Sequence, residues 1–238
     1  MKKHISELML KKYFNSDYQP PEYNPSADFE WIQGQSTMPW LKLDIEVPHQ
    51  MILDEIQQVE SMLVAHREEY GEHLGWKSFC IHGKSFDATR EPAHYNDDRP
   101  HVWTSEAVEY MPQTVNYFAD QWPGGQYQRI RIMLLEPGGY VSIHSDYAQP
   151  QLRPINIAIT QPNDCYFVME KHGRVPFSPG SAFWLDVSNR HTVFNYSDQP
   201  RWHIIVHQSL DGIEFQNTVV NSYNMLYNKH NEVLHNTN

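Results

Sequence analysis

The feature that most constrains the fold is a succession of short segments, rich in β-branched and aromatic residues, in the second half of the chain. Most of them are separated by a turn signal that contains Pro or Gly. Strands of this length at this spacing predict a β-sandwich or a β-barrel. The predicted strands are 129–135, 140–144, 155–159, 165–169, 182–185, 191–194 and 202–207, and the turn signals are 137–139, 161–164, 171–173, 178–180 and 198–200.

The segment before these strands mixes predicted helices with one predicted strand. Apolar residues recur at helical spacing over 48–70, and Gly71 and Gly75 follow as stop signals. Residues 76–83 form a predicted strand, and the polar stretch 84–103 forms a predicted long loop. A helix is predicted over 105–120, with Ser105 as its cap and a break or second start at Pro112.

These patterns predict one structural domain of mainly β structure with flanking helices. Residues 1–125 are expected to form an arm, helices and a supporting strand that pack on the core. Residues 126–210 are expected to form the catalytic β core. Residues 211–238 form a C-terminal extension, in which Phe215, Val219 and Tyr223 recur near helical spacing.

Composition narrows the class of protein. The chain has 238 residues, of which 40% are hydrophobic, which is enough for a substantial core. Its formal net charge of −11 argues against a nucleic-acid-binding surface, because phosphate contacts need clustered Lys and Arg. Cys80 and Cys165 lie in apolar runs and are expected to be buried free thiols.

The sequence also carries expectations about location. It has no apolar stretch of about 18 residues, so no membrane span and no membrane partner are predicted. The N-terminal residues have charges on both sides of a very short apolar segment, which is not typical of a signal peptide. A cytoplasmic protein is therefore expected.

A candidate metal site begins at His144 and Asp146. Side chains alternate along a strand, so these two point to the same face with one residue between them. His191, at the start of a later predicted strand, can supply a third ligand. Two imidazoles and one carboxylate can hold one face of an octahedral iron(II) ion and leave the opposite face open.

Alone, a His-X-Asp sequence in a chain with 14 His is also typical of an exposed polar turn, or of a histidine held by a neighbouring aspartate. The context favours the metal site. The Pro-Gly-Gly signal at 137–139 precedes the strand, a second His opens a late strand, and Arg201 lies on the next one.

Arg201 is a candidate for binding a dicarboxylic co-substrate. By alternation it shares a face with His203 and Ile205, and an arginine that points into a barrel is costly unless it meets an anion. Its planar fork suits a carboxylate. The alternative is a rim arginine paired with an acid such as Asp198.

Several stretches occur in a fixed order in the second half of the chain: IRIMLLEPG at 130–138, HSD at 144–146, LR at 152–153, FSPG at 177–180 and FWLD at 183–186, followed by His191 and Arg201. With this series, residues 126–210 resemble the aspartyl/asparaginyl β-hydroxylase family of iron(II)/2-oxoglutarate oxygenases, which includes bacterial proline hydroxylases. Residues 76–83 resemble an upstream strand of that family.

The resemblance implies a double-stranded β-helix, also called a jelly roll or cupin-like fold. It implies catalytic iron(II) bound by His144, Asp146 and His191, with 2-oxoglutarate and O2 as co-substrates. It further implies that Arg201 holds the distal carboxylate of 2-oxoglutarate and that Arg153 lies near the other carboxylate. Animal aspartyl hydroxylases have no carboxylate at the position of Asp146, so the metal set is similar to the proline-hydroxylase branch.

The expected function is hydroxylation of a C–H bond of an amino acid, free or as a side chain in a peptide or protein, with release of succinate and CO2. A lipid acyl chain is a further substrate of the family and is disfavoured by the lack of a membrane segment. The candidate substrate contacts, in the predicted strand, the long loop and the barrel mouth, are Trp76, His82, Arg90, Trp103, Arg131, Asn156 and His203.

Two alternatives stay open. One is a cupin-type metalloenzyme that does not use 2-oxoglutarate and would not need Arg201. The other is a non-catalytic jelly-roll binding or virion protein without a metal.

Overall fold

The computed structural model describes residues 18–66, 73–86 and 98–235, with side chains up to residue 228. Within these ranges the protein is mainly β. In chain order the elements are α1 (Phe29–Gly34), β1 (Trp40–Leu43), α2 (His49–Val59), a 3₁₀ turn (Glu60–Met62), β2 (Val64–Ala65), β3 (His73–Gly83), β4 (Val102–Trp103), α3 (Ser105–Tyr110), α4 (Pro112–Asp120), β5 (Tyr127–His144), β6 (Ile155–Ala158), β7 (Cys165–Met169), β8 (Gly173–Arg174), β9 (Ala182–Leu185), β10 (His191–Asn195), β11 (Arg201–Gln208) and α5 (Ile213–His235).

The strands form one antiparallel sheet in the order β1-β9-β6-β11-β5-β10-β7-β8, and β3, with β2 and β4, lies against β5. β5 organises the sheet, because its first half pairs with β11 and its last residues pair with β10. β3 runs along its other edge past both halves. The sheet therefore curls over at the middle of β5, and the predicted jelly-roll class with flanking helices is confirmed.

The middle of β5 corrects one prediction. The Pro-Gly-Gly signal at 137–139 does not separate two strands but lies within the single strand β5. Gly138 has φ +77°, and a Cβ on Gly139 would lie 2.8 Å from the carbonyl oxygens of Glu136 and Leu74. The signal marks a bend, because β3 stays paired on both sides of it and prevents the chain from turning away.

The helix predicted over 48–70 is also shorter in the structure. α2 ends at Val59, and Val64 and Ala65 instead pair with Ser78 and Lys77 of β3. In this segment the pairing with β3 therefore outweighs the preference for a helix that the apolar spacing indicated. Gly75 is not a helix stop but lies inside β3 with φ +64°, whereas Gly71 falls outside the described residues.

The next predictions need smaller corrections. β3 begins at His73, three residues before the predicted start, and the predicted loop contains β4, in which Trp103 pairs with His82. The side chain of Thr104, rather than Ser105, caps α3 by accepting from the backbone N–H of Ala107. The predicted break at Pro112 is confirmed, because α4 begins there.

The N-terminal segment contributes a strand that its sequence did not predict. β1 pairs with β9, so that Trp40 faces Leu185, and it forms one end of the sheet order. The predicted helical tail is confirmed as α5. Its buried Phe215 and Tyr223 contact Trp184 and Trp31 respectively. Helix α5 therefore packs against Trp184 of β9 and Trp31 of α1.

Two predictions from composition can be compared with the structure. Cys80 and Cys165 are both buried and free, as expected. In the described ranges, every helix is too short or too polar to span a bilayer.

Candidate metal centre and co-substrate pocket

The structure brings together the three residues predicted to bind a metal. His144 is the last residue of β5, and His191 is the first of β10 and pairs with it across the sheet. Asp146 follows β5 by two residues, where its backbone N–H donates to the carbonyl of Val187 over 3.0 Å. Asp146 Oδ1 lies 3.5 Å from His144 Nε2, and its Oδ2 lies 3.8 Å from His191 Nε2. Candidate ligand atoms of all three lie within 4.8 Å of one another.

Backbone carbonyls set the tautomer of both imidazoles. His144 Nδ1 lies 2.7 Å from the carbonyl oxygen of Ser142, and His191 Nδ1 lies 2.9 Å from that of Asn189. Because a carbonyl only accepts, each Nδ1 carries the proton and each Nε2 presents its lone pair. Both lone pairs belong to the nitrogens nearest Asp146. Such a donor set fits a divalent metal ion.

The surroundings hold His191 in place. The ring of Phe167 stacks on it with an interplanar angle of 3° and a centroid distance of 5.4 Å. Burial, and then the neighbouring His144, lower the pKa of His191. The neutral imidazole, which is the form that binds a metal, is therefore favoured.

Arg201 lies at the start of β11 and is fully buried, with 0% exposure. Its Nε donates to Gln161 Oε1 over 3.2 Å, and its Nη1 donates to His203 Nδ1 over 2.8 Å. The guanidinium also lies over the ring of Phe177, at 5.3 Å from the centroid. In the described part of the chain no carboxylate pairs with Arg201, so the alternative pairing with Asp198 is not observed.

Nη2 of Arg201 is buried without a partner among the described residues. A buried, incompletely paired guanidinium is costly unless an anion completes it. His203, which holds Nη1, lines the same cavity as the metal triad. Arg201 itself is not a lining residue, and its guanidinium is linked to the cavity through the hydrogen bond to His203. A buried guanidinium next to the cavity suits the carboxylate of a dicarboxylic acid.

The cavity is lined by groups from β3, β5, β6, β7, β10 and β11 and from the segments between them. The lining residues are His66, Trp76, Arg129, Arg131, Leu135, Val141, His144, Asp146, Tyr147, Pro154, Asn156, Phe167, Val187, His191, Val193, His203, Ile205 and His207. Four of the predicted substrate contacts are among them: Trp76, Arg131, Asn156 and His203.

Other predicted contacts lie elsewhere. His82 does not line the cavity, because its ring packs against Trp103 and Tyr127, at centroid distances of 4.8 and 5.6 Å. Arg153 also lies outside the lining, where its guanidinium stacks over the ring of Tyr147 at 4.6 Å. Its role near the second carboxylate stays a prediction. Arg90 falls outside the described residues.

Sequence reasoning missed Arg129, His207 and His66. Strand alternation could have identified Arg129, because it is two residues from Arg131 on the same strand. In the structure Arg129 pairs with His207. His66 carried no such signal. It reaches the cavity because its ring packs edge-on against Trp76 at 4.3 Å.

A comparison with models of protein families identifies the family of this chain. The model of the aspartyl/asparaginyl β-hydroxylase family matches residues 46–209, more than half of the chain. A search of curated protein sequences finds no match.

Several solved structures are similar to this one. An oxidoreductase of the 2OG-Fe(II) oxygenase family from Burkholderia pseudomallei is 12% identical with a TM-score of 0.48, over 82% of this chain and 96% of that one. A Pseudomonas putida prolyl-4-hydroxylase is 13% identical with a TM-score of 0.43, over 76% and 97%. The viral collagen prolyl hydroxylase of Paramecium Bursaria Chlorella virus-1 is 11% identical with a TM-score of 0.42, over 71% and 95%.

Proposed function

Because this chain belongs to the aspartyl/asparaginyl β-hydroxylase family of iron(II)- and 2-oxoglutarate-dependent oxygenases, we propose that it hydroxylates a C–H bond of an amino acid. The amino acid is either free or a side chain in a peptide or protein. In the overall reaction, one atom of O2 enters the C–OH group of the product and the other enters succinate, while 2-oxoglutarate loses CO2.

One observation supports the proposal most strongly. The cluster of two histidines and one carboxylate lies in the same cavity as His203, which orients the buried and incompletely paired Arg201. The cluster alone would suit several metalloenzymes. The arginine adds a site for the distal carboxylate of 2-oxoglutarate, and a cupin enzyme that does not use this co-substrate has no need of it.

In this account His144, Asp146 and His191 hold the iron. When bound, iron(II) supplies O2 activation at the expense of 2-oxoglutarate. The protein's own groups bind and orient. The carbonyls of Ser142 and Asn189 keep both Nε2 atoms unprotonated, and Phe167 fixes the plane of His191.

His203 and Gln161 orient the arginine. Burial, and then the charges of Arg201 and Arg131, lower the pKa of His203 well below its usual value. His203 is therefore neutral, its Nδ1 accepts from Arg201 Nη1, and its Nε2 carries the proton. Leu135, Val141 and Val193 supply an apolar wall that limits water around the metal residues.

Succinate formation tests the proposal. The iron-loaded protein is incubated with 2-oxoglutarate and O2, and succinate is measured over a panel of amino acids and peptides. We expect 2-oxoglutarate-dependent succinate that is abolished in His191→Ala and retained in Arg174→Gln, a substitution on an exposed residue outside the cavity. Iron binding without any succinate would instead support the cupin alternative.

A further inference from the structure

The turn between β9 and β10 contacts two of the three residues that hold the iron in the proposed function. This 186–190 turn directly follows β9 and leads into His191, the first residue of β10. The carbonyl oxygen of Val187 accepts from the backbone N–H of Asp146 over 3.0 Å. The carbonyl oxygen of Asn189 accepts from His191 Nδ1 over 2.9 Å. A displacement of this one turn would therefore move Asp146 and His191 together.

His144, the third residue of the triad, is held by the sheet instead. It ends β5 and pairs with His191, and the nearby Val141 pairs with both β10 and β3. The carbonyl oxygen that lies 2.7 Å from His144 Nδ1 belongs to Ser142 of the same strand. The orientation of His144 is thus set within β5, whereas that of Asp146 and His191 depends on the turn.

A buried carboxylate supports the 186–190 turn from inside. Asp186, 5% exposed, is its first residue, and its Oδ1 accepts from the backbone N–H and the hydroxyl of Ser188 over 3.0 and 2.6 Å. Such a bond from Asp to the backbone two residues later is typical of a turn. The carbonyl oxygen of Asp186 accepts from the side-chain amide of Asn189 over 3.0 Å. The backbone N–H of Asp186 donates to the carbonyl of Pro39 over 2.9 Å, which connects the turn to the segment before β1.

Asp186 has no direct place in the chemistry. It lies outside the cavity lining and outside the metal cluster. Its side chain bonds to Ser188, and its effect on the site passes through the backbone carbonyls of the turn. Hydrogen bonds of this outer kind orient metal ligands, and their loss typically weakens metal binding by about 10- to 100-fold.

We infer, on the basis of the proposed function, that Asp186 is a positioning residue for the iron site. Through the 186–190 turn it keeps Asp146 and His191 facing His144 before the metal arrives. A protein that lacks this support must order two of its three ligands when iron(II) binds, so its affinity for the metal is lower.

A second turn of the same kind provides a matched control. After β10, Asn195 Oδ1 accepts from the backbone N–H and the hydroxyl of Ser197 over 3.1 and 2.6 Å. This turn lies at the opposite end of β10 from His191. The Ser197 hydroxyl also bonds to the backbone of Gln199, so its removal disturbs the fold at least as much as removal of the Ser188 hydroxyl. Only the Ser188 hydroxyl belongs to the turn that contacts the metal residues.

Titration with iron(II) under argon tests the inference without turnover. We expect Asp186→Ala to raise the dissociation constant of iron(II) about tenfold. Ser188→Ala should raise it by a smaller factor, and Asp186→Asn, which keeps an acceptor oxygen, should recover most of the affinity. Ser197→Ala should bind iron(II) as the wild type does.

Two results of this titration overturn the inference: wild-type affinity in Asp186→Ala, or equal affinities in Ser188→Ala and Ser197→Ala. The two serine variants decide the question if Asp186→Ala does not fold. If the wild-type protein binds no iron(II), the proposed function itself fails. Equal binding by all variants instead overturns only the role of Asp186.

Nitrogen-15 NMR of the imidazoles in the metal-free protein gives a second readout. In the wild type, His191 should carry its proton on Nδ1, bonded to the carbonyl of Asn189. Asp186→Ala should populate the form protonated on Nε2 at His191 and leave His144 unchanged, because the partner of His144 lies in β5. A general loss of stability would not separate the two histidines. An unchanged His191 in Asp186→Ala contradicts the inference.

Discussion

Arg201 is the residue whose surroundings say most about the chemistry. Burying a guanidinium without a carboxylate costs several kcal/mol. The fold offsets part of this cost through Gln161 and His203, and it leaves Nη2 without a partner among the described residues. A residue kept only for stability would be better replaced by an apolar side chain of similar size. A ligand carboxylate that pairs with Nη2, as the proposed function requires, would explain the arrangement.

His203 should act as a positioning residue for Arg201. In His203→Phe the acceptor for Nη1 is lost, and we expect the dissociation constant of 2-oxoglutarate to rise about tenfold, a typical loss for one hydrogen bond to a charged group. His203→Asn restores an acceptor oxygen and should recover part of the affinity. Anaerobic titration with 2-oxoglutarate measures both. Equal affinity in the wild type and His203→Phe would contradict this role.

At the scale of single residues, the sequence predicted the metal cluster because strand alternation places His144 and Asp146 on one face. It could not separate cavity residues from core residues on flanking strands. His82 and Trp76 both lie on β3, yet only Trp76 lines the cavity. Register shifts in the β3–β5 pairing, between Leu74 and Trp76 and between Cys80 and His82, change which side chains face inward.

Among the elements, β5 depends on its bend. The part before the bend pairs with β11, and the part after it pairs with β10 and ends at His144. A Cβ on Gly139 would lie 2.8 Å from two carbonyl oxygens of backbone held by the β3–β5 pairing. We therefore expect Gly139→Ala to lower the free energy of unfolding by about 2 kcal/mol or more, as strain at a special backbone position does. Chemical denaturation measures the change.

The matched control for this substitution is Gly125→Ala, where a Cβ would meet no atom within 4 Å. Its free energy of unfolding should stay within about 0.5 kcal/mol of the wild type. A Gly139→Ala protein as stable as Gly125→Ala would show that the bend tolerates a side chain.

Helix α4 depends on a carboxylate from α2. Glu55, 7% exposed, accepts from the backbone N–H groups of Gln113 and Thr114 and from the Thr114 hydroxyl, at 2.7 to 2.9 Å. Glu55→Ala removes this cap and leaves buried donors unpaired, so we expect a loss of about 2 kcal/mol in the free energy of unfolding. Asp54→Ala, on the exposed side of α2, should cost little by comparison. Equal losses in the two variants would argue against the cap.

Strands that are bounded by clear turn signals were predictable, whereas strands without such signals were not. The strands at 165–169 and 182–185 have the predicted bounds, because polar turn residues flank continuous apolar runs. β4 has only two residues, too few for a period to be recognised, and β1 lies in a segment without clear periodicity. Their positions are set by pairing partners far along the chain, β9 and β3, and not by local preference.

For the molecule as a whole, buried neutral histidines predict a loss of stability in acid. Burial, and then the charge of His101, lower the pKa of His82 to about 4 from 6.5. Between these values the unfolded chain binds a proton that the folded protein does not, so stability rises with pH and is lost as pH falls from 6.5 toward 4. From pH 7 to pH 5 this group alone should cost about 2 kcal/mol.

His82→Phe should remove this part of the pH dependence while it keeps a ring against Trp103 and Tyr127. Urea unfolding of both proteins at pH 7 and pH 5 measures the difference. The variant should lose less stability than the wild type between the two values. An identical loss would show that His82 is not the group that titrates.

The central claim, that one cavity binds iron(II) through His144, Asp146 and His191 and 2-oxoglutarate through Arg201, is tested most directly by anaerobic absorption spectroscopy. Wild-type protein with iron(II) and 2-oxoglutarate should develop the visible charge-transfer band of a metal-chelated keto acid. His191→Ala should lack the band, and Arg201→Lys should need about tenfold more 2-oxoglutarate to reach it, since an ammonium cannot replace the guanidinium fork. No band in the wild type, or an undiminished band in His191→Ala, would contradict the account.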